Sequence, residues 1–336
     1  MTLRIAINGF GRIGRLVCRA LYEMNHKDVN LVAINDPGGN FFPLLKYDSV
    51  HGRAPFTVEH CGDDGMRIDG KRVYRFRSRD PHELHWGDHD VDIVLECTGK
   101  FNDREGAQVH LDAGAKKVLF SAPAKDEDIT IVYGVNDKDL KPEHTMVSNG
   151  SCTTNCLAPV AYVLDREIGI ERGFMTTIHA YTGDQNTVDA SHRDPFRARA
   201  AAMNMIPTTT GAAKALSKVL PHLEGKMDGV SIRVPVPNVS LVDLKFDAAR
   251  KTSVEEINEA MKKYAEGELK GVLNCYEEPL VSSDFNHEPY SANFSLAGTN
   301  VIDGTFARVM AWYDNEWGFS CRMIDTARKM HSLGYK

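Results

Sequence analysis

The chain opens with an apolar run, Leu3-Arg4-Ile5-Ala6-Ile7, then Asn8-Gly9-Phe10-Gly11-Arg12-Ile13-Gly14, then Arg15-Leu16-Val17-Cys18-Arg19-Ala20-Leu21. This reads as strand, glycine turn and helix. Gly9, Gly11 and Gly14 keep the Gly-x-Gly-x-x-Gly spacing. The first glycine permits the tight turn, the second lets backbone approach a pyrophosphate, and the third packs helix on strand. A second apolar run, Leu31-Val32-Ala33-Ile34-Asn35, ends at Asp36, 22 residues beyond Gly14. An acid at that distance suits the ribose hydroxyls of an adenosine dinucleotide.

The pattern stays α/β through residue 149. Val91–Gly99 reads as a buried strand with a small-residue turn, helical residues run from near Arg104 to Ala113, and Lys117–Pro123 reads as another strand. Ile129–Val135 and Met146–Asn149 continue the series. Strands alternating with helices predict a Rossmann-type, doubly wound parallel sheet, whose ligands lie at the carboxyl ends of the strands. Thr98, Ser121 and Cys152 fall at such ends. The second half changes character. Phe174–Tyr181, Gly229–Val234, Ser240–Asp247, Asn293–Leu296 and Phe306–Tyr313 are strand-like, with helices at Gly211–Leu220 and Ser253–Glu266. This predicts an α+β catalytic domain with a mostly antiparallel sheet and helices on one face. The expected domains are therefore 1–151 for the dinucleotide and 152–316 for catalysis. A C-terminal helix, 317–336, packs back on the first, with Met323, Ile324, Ala327 and Met330 along its apolar side. Met203, Met205 and the other scattered methionines read as core filler.

A length of 336 residues suits two domains, and a formal charge of −6 offers no basic field for nucleic acid or an anionic membrane. No apolar run approaches the roughly 20 residues that span a bilayer, and the N-terminus enters a strand directly, leaving no room for a signal peptide. The seven cysteines are scattered, with no Cys-x-x-Cys pair for a metal, so the expectations are a reducing cytoplasm and no metal.

Ser151-Cys152-Thr153-Thr154-Asn155-Cys156, with His179 arriving 27 residues after Cys152, is the candidate for chemistry; taken alone, the segment reads equally as a capped helix with two half-buried cysteines. Small hydroxyl and amide residues suit a strand-to-helix junction, and a thiol at a helix N-terminus beside an imidazole is readily ionised. Cys152 and Cys156 lie one helical turn apart, poor geometry for a disulfide.

Five segments, in order along the chain, resemble phosphorylating glyceraldehyde-3-phosphate dehydrogenases. They are Asn8–Arg15, Ser148–Cys156, Ile206–Lys214, Arg233–Ser240 and Trp312–Gly318. The resemblance spans nearly the whole chain. It implies oxidation and phosphorylation of glyceraldehyde 3-phosphate to 1,3-bisphosphoglycerate with reduction of NAD, in glycolysis or gluconeogenesis. Cys152 would form a hemithioacetal and then a thioester, with His179 as base. The family pattern maps inorganic phosphate to Ser151, Thr153, Arg197, Thr210 and Gly211, and substrate phosphate to Thr182, Asp184 and Arg233. Guanidinium forks, hydroxyls and backbone N–H groups suit such anions, and Thr209-Thr210-Gly211 opens a predicted helix, itself an anion site. On the cofactor side it maps to Gly9, Gly11, Gly14, the backbone of Arg12 and Ile13, Asp36, Arg79 and Ser121, with Asn315 holding the nicotinamide carboxamide. A homotetramer is implied, in which the loop from Tyr181 to Met203 reaches a neighbouring subunit's cofactor.

The chain departs from the family pattern in three places. Gly150 stands where many relatives have alanine, and Phe319 replaces a frequent tyrosine. Ala190-Ser191 stands where strictly NAD-using relatives often have leucine-proline. That last pair resembles NADP-tolerant forms, whereas Asp36 would repel a 2′-phosphate. The expectation is NAD as main cofactor with some NADP use. Two alternatives stay open: erythrose-4-phosphate dehydrogenase, disfavoured by Thr182 and Thr208-Thr209-Thr210-Gly211, and a non-catalytic NAD-binding regulatory protein.

Overall fold

The computed structural model describes residues 2–39, 41–62 and 65–335; Met1 and Lys336, the outer ends of the expected domain ranges, lie outside these. The chain forms two compact units. One comprises Met1–Tyr133, Asp137–Ser151 and Ser320–Lys336, the other Gly134–Asn136 and Cys152–Phe319.

In the first unit, β1 (Leu3–Asn8) leads through the glycine turn into α1 (Arg12–Glu23) and β2 (Val29–Asn35). Then come β3 (Val58–His60), β4 (Gly65–Ile68), β5 (Lys71–Phe76), β6 (Ile93–Glu96), α2 (Arg104–Asp112), β7 (Lys117–Phe120), β8 (Ile129–Thr130) and β9 (Met146–Ser148). The sheet order is β8-β9-β7-β6-β1-β2-β5-β4-β3. From β8 to β5 every neighbouring pair is parallel. The central strands are apolar on both faces, as a parallel sheet requires; Ile5 and Ile93 on one face and Ala6 and Val94 on the other are all at most 1% exposed. Two features differ from the sequence expectation. The antiparallel edge β3-β4-β5 was not read at all, because short half-exposed strands carry little periodicity. The expected strand Ile129–Val135 stops at Thr130, and the chain turns through Gly134 in the left-handed region at φ +85°.

In the second unit, α3 (Cys152–Glu167) is followed by β10 (Ile170–Ala180), β11 (Ile206–Thr209), α4 (Ala212–Ala215), β12 (Met227–Val234) and β13 (Ser240–Ala248). Next come α5 (Val254–Glu266), β14 (Leu273–Tyr276), β15 (Ala292–Ser295), β16 (Asn300–Ile302), β17 (Phe306–Tyr313) and α6 (Trp317–Ser332). The sheet runs β11-β12-β10-β13-β17-β15-β14, with β16 also on β17. It is antiparallel except at β10/β12 and β14/β15. Its strands alternate cleanly. Along β13 every second residue from Ser240 is buried, the signature of a sheet with one covered face. α3 packs on β15, β17 and α5.

The helix expected over Gly211–Leu220 is mostly not α-helical: α4 is a single turn, followed by 3-10 turns at Leu216–Lys218 and Pro221–Leu223. Four residues carry little macrodipole, so Thr210-Gly211 can bind an anion only through local groups. Met203 and Met205 are not core filler: they are 82% and 76% exposed. Both sit in the loop after β10, where no layer lies above them to pack against. α6 ends at Ser332. It passes from the second unit into the first at Ser320, and Met323, Ile324, Ala327 and Met330 are all at most 1% exposed.

Candidate active site

The first unit carries a cleft of about 520 Å³ at the carboxyl ends of β1, β2 and β6. Gly9, Gly11, Asp36 and Arg79 line it, together with Asn8, Asn35, Cys97 and Thr98. Gly9 and Gly14 leave no room for a Cβ. Gly9 sits at φ +92°, and a Cβ there would come within 2.7 Å of the Thr98 nitrogen. A Cβ on Gly14 would come within 2.1 Å of the Gly9 carbonyl oxygen, so helix meets turn only because that Cβ is missing. Gly11 faces open space, and α1 has neither a side-chain cap nor an acid in its first turn. Its positive end is therefore left for an anion. Asp36 is fixed at the cleft by two backbone donors, Phe10 N–H to Oδ2 at 2.8 Å and Gly38 N–H to Oδ1 at 2.7 Å.

Arg12, Ile13, Gly14 and Ser121 are not among the cleft-lining residues. The Arg12 side chain is instead paired with Asp48 at 2.5 Å, which leaves its backbone as the relevant group. Ser121 N–H donates to the Glu96 carbonyl at 3.0 Å, just beyond β7. Sequence reasoning missed the polar floor. Asn8 donates to the Glu96 carboxylate at 2.6 Å, Asn35 to Asn8 Oδ1 at 2.8 Å, and Thr98 N–H to Glu96 Oε1 at 2.7 Å. A polar residue closing each apolar strand was the available signal.

The second unit gathers Cys152, His179, Arg233, Thr182, Arg197 and Asp184. Cys152 is the first residue of α3, and its Sγ lies 3.6 Å from His179 Nε2. His179 is in β10, and parallel pairing with β12 sets it opposite Arg233. His179 Nδ1 lies 2.7 Å from the Ala180 carbonyl oxygen, which can only accept, and 3.2 Å from Arg233 Nη1, which can only donate; the shorter contact places the proton on Nδ1 and turns the Nε2 lone pair to the sulfur. Burial, with Arg233 and then Arg197 adding repulsion, lowers the His179 pKa to about 3. Desolvation pushes the Cys152 thiol up, against Arg233 and hydrogen bonds from Thr153, which pull it down. Both shifts favour the neutral partners. In each case burial is the largest cause, and for Cys152 the Arg233 guanidinium and the N–H groups at the start of α3 act against it.

Arg233 Nη1 donates to the Ala180 carbonyl at 3.1 Å and to Thr182 Oγ1 at 3.3 Å. Arg197 Nη1 pairs with Asp184 at 2.6 Å, and its Nε donates to Thr208 Oγ1 at 3.1 Å. Asp184 thus orients a guanidinium. Thr153 Oγ1 is turned to the Tyr313 hydroxyl at 2.8 Å, and Thr210 Oγ1 accepts from Ala212 N–H at 3.2 Å, so both threonine hydroxyls are engaged within the protein. Asn315, 5% exposed, accepts from Ser240 Oγ at 2.8 Å. Gly211 caps α4, and Ser151 directly precedes α3. Tyr313 was not anticipated. Its hydroxyl lies between Thr153 and Thr177, and its ring stands edge-on to His179 with centroids 6.0 Å apart. All seven cysteines are free, and no group of three metal-ligating side chains occurs among the described residues.

Residues 3–104 match the NAD binding domain of glyceraldehyde 3-phosphate dehydrogenase and residues 151–315 its C-terminal domain. The chain is 58% identical to a glyceraldehyde-3-phosphate dehydrogenase of Xanthobacter flavus, over 99% of this chain and 100% of that protein. It is 56% identical to one of Cereibacter sphaeroides, over 99% and 100%. It is 52% identical to glyceraldehyde-3-phosphate dehydrogenase 2 of Bacillus subtilis, over 98% and 96%.

Proposed function

The chain belongs to the glyceraldehyde-3-phosphate dehydrogenase family, an NAD-dependent dehydrogenase, and from that premise we propose that it oxidises and phosphorylates D-glyceraldehyde 3-phosphate to 1,3-bisphosphoglycerate through Cys152. The observation that carries this reading is the 3.6 Å approach of Cys152 Sγ to His179 Nε2 at a helix N-terminus.

Sγ attacks the aldehyde carbon as its proton passes to Nε2, which delivers it to the carbonyl oxygen and leaves a hemithioacetal. An aldehyde gives up hydride only when an anionic oxygen pushes it out, so Nε2 then withdraws that hydroxyl proton. NAD+, when bound, supplies the acceptor for the hydride. Inorganic phosphate attacks the resulting thioester, releasing the acyl phosphate and Sγ. Nε2, 3.6 Å from Sγ, is the group placed to take the Cys152 proton. Arg233 and Thr182, with Asp184 holding Arg197, hold the substrate phosphate. Arg197, the Ser151–Thr153 turn and Thr210-Gly211 serve the inorganic one.

The cleft of the first unit fits the cofactor. It combines an uncapped helix N-terminus, two glycines at closest approach, and the Asp36 carboxylate for the adenosine ribose. Arg12 and Ile13 would contribute backbone, Arg79 and Ser121 side chains, and Asn315 the carboxamide contact. Ala190 and Ser191 leave room for limited NADP use against the charge of Asp36. Residues 1–151 with the C-terminal helix form the dinucleotide domain and 152–316 the catalytic one.

Self-association as a homotetramer is favoured by apolar side chains left in water: Phe174, Val230 and Phe306 on the sheet of the second unit, and Val188, Phe196, Met203 and Met205 in the loop. No helix among the described residues is long and apolar enough to cross a membrane, and the cytoplasm is the proposed location.

Steady-state NADH production from glyceraldehyde 3-phosphate tests the reading. The rate should depend on inorganic phosphate and exceed that on erythrose 4-phosphate. Equal rates without phosphate would refute a phosphorylating reaction.

A further inference from the structure

Val239 sits at φ +68°, in the left-handed region that a β-branched residue adopts only under compulsion. It is 3% exposed, packed with Tyr276 and Phe285. What the strain purchases lies on either side. Asn238 Nδ2 donates to Asp314 Oδ2 at 2.8 Å, and the carboxylate of Asp314 also takes the backbone N–H of Trp317 at 2.7 Å. The turn is thereby tied to the segment that carries Asn315. Immediately after Val239, Ser240 Oγ accepts the Ala180 N–H at 3.0 Å and donates to Asn315 Oδ1 at 2.8 Å.

The Ala180 N–H takes one acceptor site on Ser240 Oγ, and the hydroxyl proton goes to Asn315 Oδ1, the amide end that faces it at 2.8 Å. The Asn315 Nδ2 end is left as the one displayed. Ala180 therefore serves twice: its carbonyl fixes the proton of His179 on Nδ1, and its N–H fixes the amide of Asn315 through one hydroxyl.

We propose that Ser240 is a positioning residue for the cofactor, holding Asn315 with its Nδ2 donor outward for the carbonyl of the nicotinamide carboxamide. The proposal rests on the assignment of Asn315 to the carboxamide, and its test separates the two.

NAD+ and ADP-ribose, which lacks the nicotinamide, are titrated against the full-length protein by tryptophan fluorescence. Cys152 alkylation by iodoacetamide is followed in parallel. Ser240→Ala should raise the NAD+ dissociation constant about tenfold, the loss of one well-placed hydrogen bond. It should leave ADP-ribose affinity and the alkylation rate unchanged, and Ser240→Thr, which keeps a hydroxyl, should restore most of the NAD+ affinity. Asn315→Ala should match Ser240→Ala, and the double variant should be no worse than either. If Asn315→Ala leaves NAD+ affinity intact, the carboxamide assignment falls. If Asn315→Ala weakens NAD+ and Ser240→Ala does not, the relay falls. Equal weakening of NAD+ and ADP-ribose by Ser240→Ala would reduce Ser240 to a structural role and overturn the proposal.

Discussion

The cleft of the first unit is shaped by backbone, whereas the cluster of the second is made of side chains delivered by a sheet. At Gly9 and Gly14 the absence of Cβ atoms is the working feature, and both lie within seven residues of the end of β1. In the second unit Cys152 comes from a helix, and His179 and Arg233 from two strands whose parallel register sets them opposite each other. A site built on local backbone is broken by adding one carbon. A site built on side chains is broken by changing one functional group while the fold stands.

The sharpest form of that contrast is the loss of chemistry without loss of structure. Cys152→Ser should lower turnover about 10⁴-fold or more, because a serine hydroxyl beside a neutral imidazole is a far weaker nucleophile toward the aldehyde. His179→Asn should cost about 10²- to 10⁴-fold, the usual worth of a general base. Circular dichroism and NAD+ affinity should be unchanged in both, and a serine variant that keeps full activity would remove the nucleophile from this account. The opposite pattern is expected in the first unit. Gly14→Ala should destabilise by about 3 kcal/mol, the upper end for overpacking, with loss of NAD+ binding. Gly11→Ala meets no neighbour within 4 Å and loses only the N-cap preference of glycine over alanine, so it should cost about 1 kcal/mol and lower the unfolding midpoint far less than Gly14→Ala. Equal denaturation midpoints for the two alanine variants would contradict the steric role of Gly14.

A smaller effect separates the units by pH. His179 has a pKa of about 3 when folded against 6.5 as its ordinary value. Between these values the unfolded chain takes up a proton that the folded chain refuses. Stability present above pH 6.5 is therefore lost as the pH falls toward 3. Urea midpoints measured across that window should drop less in His179→Asn than in wild type; identical slopes would mean that His179 is not held neutral by burial. The smallest effect is expected at Cys156, buried within α3 with its thiol directed to the Ala311 carbonyl at 3.7 Å. Cys156→Ser should leave activity within about twofold, as for a residue outside the chemistry; a loss like that of Cys152→Ser would show that the two thiols had been assigned wrongly.

What could be read in the sequence follows the same division. The glycine turn, Asp36 and the central parallel strands were legible because their signals are local, carried by spacing or by apolar runs. Cys152 and His179 became a pair through resemblance, since nothing in a 27-residue separation says that a strand and a helix will meet. Tyr313 and Ser240 were not legible at all. Their partners lie 160 residues away at Thr153 and 75 residues away at Asn315, and only the packing of α3 on β17 and the β13/β17 register bring them together. The edge β3-β4-β5 escaped because short, half-exposed strands lack alternation. Met203 and Met205 were misplaced because composition alone does not reveal which loop lacks a covering layer.

The central claim is that one sulfur carries the substrate as a thioester. Peptide mass mapping of protein quenched in acid during turnover without inorganic phosphate tests it most directly. The account predicts an acyl adduct on the peptide bearing Cys152, released by hydroxylamine and absent after phosphate is added. An adduct on any other residue, or turnover with no adduct at all, would contradict it.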